Sequence, residues 1–119
     1  MSNCSNVPLF LEVMAPALES GSTLQDVFFN TVSGWGFEYK DVINKFVCDF
    51  CSGVMFYIEN IDGKDHVVVR TAVKRDIDFY KTAMKVDVLI SIIKEALSMI
   101  GVDMNKLRVR IYDPCKCQG

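Results

Sequence analysis

The chain has 119 residues, half of them hydrophobic and 24% charged, with thirteen basic and fifteen acidic side chains. That length fits one domain, 1–119, with a real core, and high apolar content with a net charge of only −2 excludes a disordered chain. A pI near 5.3 argues against nucleic-acid binding through a cationic surface, and no apolar run reaches the roughly 18 residues of a membrane span.

In chain order, Val7 to Ala17 is apolar, with Pro8 and Pro16 near its ends. A run this short is compatible with a strand or a short helix. Gly21-Ser22 breaks it, and Ser22 or Thr23 can cap a helix over about 23–33. Leu24, Val27, Phe28 and Val32 recur there at helical spacing, with Asp26 in the first turn. Ser33-Gly-Trp-Gly-Phe37 interrupts the pattern and places a large ring on a turn. The steps of three and four through Tyr39, Val42, Ile43, Phe46, Val47 and Phe50 predict a second helix, 39–51, stopped at Gly53. Two β-rich runs flank Asp62-Gly63, a strong hairpin signal, and predict a hairpin within 54–74. Residues 76–83 alternate weakly, as a third strand or as the lead-in to a helix. Val86, Leu89, Ile90, Ile93, Ala96, Leu97 and Ile100 predict that helix over 86–100, stopped by Gly101. Lys106 to Tyr112 alternates basic against apolar, as a half-buried strand does. The expected fold class is therefore α+β: a small, mostly antiparallel sheet of three to four strands covered by about three helices.

Charge is unevenly spread along the chain. Residues 1–63 hold eight acids and two bases (net −6), and residues 64–119 hold seven acids and eleven bases (net +4). If the halves form different layers, the helical side is acidic and part of the sheet side basic. An acidic face steers a cationic partner. The expected contact residues are Glu12, Glu19, Asp26, Glu38, Asp41 and Asp49, with Trp35 as the aromatic anchor. The alternative for Trp35 is a core plug beside the helix end.

Five cysteines, an odd number, argue against a disulfide framework. Cys48-Asp-Phe-Cys51 with Cys115 and Cys117 offers thiolates for zinc or redox chemistry. The spacing is not that of a zinc ribbon, and the first pair falls within an apolar helical stripe, so neither metal nor cofactor is expected. His66 lies beside a turn, Asp76 and Asp78 align at i, i+2, and Arg108 and Arg110 share a strand face. Solvated, ion-paired surfaces account for all of these. No triad spacing or phosphate-cradling loop is present, and an enzyme is not expected. The first six residues, Met-Ser-Asn-Cys-Ser-Asn, lack a positive signal-peptide n-region, so the expected location is cytoplasmic.

Phe28-Phe29, Ser33-Gly-Trp-Gly-Phe37, Asp41-Val42 and Phe46 through Asp49 together resemble bacterial immunity proteins of contact-dependent growth-inhibition systems, of the type that neutralises ribonuclease toxins. The likeness spans roughly 24–60. It implies a small, non-enzymatic, cytosolic inhibitor that binds a cognate toxin domain and blocks its active or substrate-binding surface. Nuclease surfaces are generally cationic, and an acidic ligand complements them. The rival readings are an acidic, dimeric secretion chaperone that holds an effector segment, and a zinc or redox domain built on Cys48, Cys51, Cys115 and Cys117.

Overall fold

The computed structural model describes residues 7–41, 43–48 and 53–115. Its strands are β1 (Leu9–Pro16), β2 (Glu38–Lys40), β3 (Lys45–Cys48), β4 (Val54–Ile61), β5 (Lys64–Val73) and β6 (Arg108–Tyr112). Helix α1 (Gly21–Gly34) follows β1, and α2 (Phe79–Ile100) joins β5 to β6 by way of a 3-10 turn at Met104–Lys106. The strands form one antiparallel sheet in the order β2-β3-β4-β5-β1-β6. The class is α+β, as expected, but with six described strands rather than three to four and two α-helices rather than about three.

The main correction falls on 39–51. No helix forms over its described part. Instead β2 and β3 pair Tyr39 with Phe46 across a four-residue loop. Asn44 takes a positive φ of 55° there, a conformation asparagine tolerates. The Tyr39 hydroxyl donates to Asn44 Oδ1. A hairpin with this loop brings 39 and 46 to the same face, just as two helical turns would, so their spacing does not separate the two. Val42 and Phe50 of the expected stripe, and Cys51 at the expected helix end, lie outside the described residues.

The first apolar run is a strand, because it has a period of two. Leu11, Val13 and Ala15 are buried, and Phe10, Glu12 and Met14 alternate with them. The 54–74 hairpin forms with Asp62 at φ 52° and Gly63 at φ 83°, both residues of the turn being left-handed. Asn60 Oδ1 accepts the Gly63 amide at 3.1 Å. No third strand forms over 76–83: residues 76–78 lead into the long helix, which starts at Phe79, seven residues before the expected 86. Asp78 sets that start, its Oδ1 accepting the Tyr80 amide at 2.9 Å. Gly101, at φ 93°, ends the helix. Helix α1 begins at Gly21 after Ser20, which makes no side-chain capping bond, so Asp26 lies beyond the first turn. The last strand is shorter than 106–112, because Lys106 belongs to the 3-10 turn.

Both helices cover one face of the sheet. Leu24, Phe28 and Val32 of α1 and Val86, Ile93, Leu97 and Ile100 of α2 pack with Leu11, Val13, Ala15, Phe46, Phe56, Val67, Val69 and Val73 in one cluster. Fully burying each such side chain contributes about 1.5–3 kcal/mol. On the α1 side the core is aromatic, with ring centroids of Phe28–Phe46 at 5.5 Å, Phe29–Phe46 at 5.1 Å and Phe29–Tyr39 at 4.8 Å. Several residues that carry the family resemblance are therefore packing residues.

Candidate functional site

Antiparallel register places Glu38, Val47, Met55, Arg70, Glu12 and Arg110 in one row across all six strands, on the face away from the helices. Glu12 is the hub of this row. Its side chain is only 12% exposed, and its Oε2 accepts Arg70 Nε at 2.6 Å. Its Oε1 is buried, makes no hydrogen bond among the described residues, and lies 3.6 Å from Arg110 Nη1. The Glu12 hydrogen bond, more than any other effect, raises the Arg70 pKa above its ordinary value. In the next row Tyr57 is nearly buried, with Lys45 Nζ 4.6 Å from its ring centre and Arg70 5.8 Å away. Burial pushes the Tyr57 phenol up, and Arg70 opposes the shift. Phe10, Met55, Ala72 and Tyr112 surround the Glu12–arginine group in a shallow groove of about 470 Å³.

Strand β6 reaches beyond the helices. Val109 and Ile111 pair with Val13 and Leu11 and point to the same face. Val13 and Leu11 are 0% and 1% exposed, whereas Val109 and Ile111 are 39% and 54% exposed. The helix layer stops one strand short of the sheet edge. A groove of about 770 Å³ fills the gap, lined by Leu9, Ile77, Phe79, Val86, Ile111 and Tyr112 among others. Arg75 fastens this corner, donating from Nε to Val7 O at 2.6 Å and pairing with Asp113.

The outward side of α2 is also apolar. Tyr80, Met84, Val88 and Ile92 follow one another at i+4, and all four are exposed, as is Met99. Ile92 and Met99 border a second apolar groove, of about 540 Å³, completed by Trp35, Phe37, Val54 and Phe56. Trp35 is 36% exposed, with its ring 5.8 Å from Phe56. It is thus partly packing and partly surface.

The expected acidic contact residues do not come together. Glu12 and Glu38 share the open sheet face, four strands apart, and each is ion-paired, Glu38 with Lys40 at 3.3 Å. Asp26 is exposed on α1, in the layer on the other side of the sheet, and Glu19 lies in the connection before that helix. Asp41 is exposed in the β2–β3 loop, and Asp49 lies outside the described residues. The reason is topological: the first half supplies four strands as well as a helix, so the acidic half is not a layer. The open sheet face carries Lys40, Lys45, Lys64, Arg70, Arg108 and Arg110 against Glu12, Glu38 and Glu59.

Asp76 and Asp78 are turn and cap residues: Asp76 Oδ1 accepts the Asp78 amide at 3.1 Å, and Lys85 lies 3.7 Å away. His66 Nδ1 sits 2.8 Å from Lys64 O. Cys115 is disulfide-bonded, although the odd cysteine count argues against a disulfide framework, and as a disulfide it offers no thiolate to zinc. The side chains of Cys48, Cys51 and Cys117 lie outside the described residues. Among the described residues no group of three metal-ligating side chains forms, and no helix is long and apolar enough to cross a membrane. The Glu12 hub was missed in the sequence because Arg70 is 58 positions away. The basic/apolar alternation of 106–112 was the legible part of the edge strand.

No family model, curated protein or solved structure matches the chain.

Proposed function

We propose that this chain is a non-enzymatic, protein-binding domain of the immunity type, which neutralises a cognate nuclease toxin by covering its active or substrate-binding surface. The observation that carries the binding reading is the apolar outer side of α2: Tyr80, Met84, Val88 and Ile92, bordered by Trp35. Large contiguous apolar surface is costly in water, and an ordered helix that keeps it marks an interaction surface. Trp35 stands where a partly buried aromatic anchors an interface, and its truncation costs about 2 kcal/mol or more in such settings. The toxin-neutralising form of the reading rests on the resemblance over 24–60. The dispersed acids act in this reading as steering charges, which set association rate more than affinity.

The test is co-expression with the protein encoded immediately upstream, followed by purification and a toxicity assay. The expected result is a one-to-one complex and restored growth. Met84→Glu with Val88→Glu weakens that complex by about tenfold or more, because two charges must be desolvated. Unchanged affinity in the double variant overturns the α2 surface. Absence of both complex and protection overturns the immunity reading. The bare side of α2 also suits a dimeric secretion chaperone. A tight dimer in light scattering, dissolved by Met84→Glu, selects that reading instead.

A further inference from the structure

The two sides of β6 carry different chemistry, and at positions 108–111 no described element covers either side. On the helix side, Val109 and Ile111 point where core residues point but remain 39% and 54% exposed, beside the groove lined by Ile77, Phe79 and Val86. On the open side lie Arg108 and Arg110. Arg110 is 76% exposed and reaches Glu12 only at 3.6 Å, and Arg108 has no ion pair among the described residues. Among the described strands this one is the last in the sheet order, so the outward backbone groups of residues 108–111 pair with no described strand.

We propose that β6 is a strand-addition site, and that its occupant is an extended segment of a partner protein in which acidic and apolar residues alternate. This deepens the protein-binding reading above and rests on it. Backbone pairing supplies affinity, and side-chain alternation supplies specificity. The apolar residues of the incoming strand extend the inner face of the sheet over the groove at Ile111 and Phe79. Its carboxylates fall on the other face, opposite Arg108 and Arg110, at the spacing where opposite charges across strands attract. The same arginines disfavour a second copy of this chain. Edge-to-edge pairing of two β6 strands would bring Arg108 and Arg110 of both copies onto one face, where like charges repel.

The experiment uses the full chain and a fluorescein-labelled peptide of about ten residues with alternating Glu and Val, long enough to span a strand. The readouts are anisotropy and amide hydrogen exchange at 108–112. Saturable binding with new protection in β6 is expected. A matched Lys–Val peptide should bind roughly tenfold more weakly or not at all, as should a peptide N-methylated on alternate amides. Arg108→Glu should lower affinity for the Glu–Val peptide by a similar factor. Arg108 carries no described ion pair, and circular dichroism verifies that the variant is folded. Equal binding of the N-methylated peptide overturns strand addition using the native chain alone. Equal binding of the Lys–Val peptide, or no binding of any peptide, overturns the acidic–apolar occupant. A concentration-dependent dimer that protects 108–112 replaces it with self-pairing. A toxin complex that forms normally with Arg108→Glu removes this inference and leaves the immunity reading in place. Peptide binding without any toxin complex does the reverse.

Discussion

Glu12 holds guanidinium groups from two strands on either side of it while almost withdrawn from water. Such a hub is worth more than an exposed pair, because it joins three strands and one of its oxygens is buried. Glu12→Gln should therefore cost about 1–2 kcal/mol in urea unfolding. Glu38→Gln, which removes an exposed pair with Lys40, should stay within about 0.5 kcal/mol. Equal losses in the two variants would show that the arginines contribute nothing special. A second residue sets a pH response. The Asp78 amide, aided by Lys85 and Lys81, holds the Asp76 carboxyl below its ordinary 3.8. A depressed carboxylate stabilises the fold above its unfolded pKa, and that contribution is lost as pH falls through the folded value. Stability of the native chain should thus fall below about pH 4 more steeply than that of Asp76→Asn, measured as thermal midpoints across pH 2–6.

At the scale of elements, turn chemistry was the most legible signal. Asp62-Gly63 marked its hairpin correctly because both residues adopt positive φ there. Gly63→Ala should cost about 1 kcal/mol, with the loss read in thermal unfolding. Helix α2 was legible from its inner stripe, of which Leu97 is wholly buried against the sheet. Leu97→Ala should cost about 2–5 kcal/mol by denaturant midpoint, whereas Met84→Glu with Val88→Glu should change stability by less than about 1 kcal/mol. That contrast also certifies the double variant as a binding probe. The 39–51 segment was misread because its apolar spacing suits both a helix and a short-looped hairpin. Partners beyond the segment decided between them: Phe28 and Phe29 pack on Phe46, and β4 pairs with β3.

Across the whole molecule, the sequence by itself determined the α+β class, the central hairpin, the long helix, the alternation of the last strand and the uneven charge. Each of these is local, written in periods of two or 3.6 residues, in turn residues or in composition. Only the tertiary structure decided that β1 inserts between β5 and β6, and that arrangement has the larger consequences. It carries Glu12 to Arg70 and Arg110, separates the acids that are close in sequence, and leaves Val109 and Ile111 beyond the reach of the helices. Strand order joins residues from about sixty to about a hundred positions apart through backbone hydrogen bonds that any residue but proline can make. A one-dimensional pattern therefore holds no mark of which strands become neighbours, and the surface this protein presents is set by that choice.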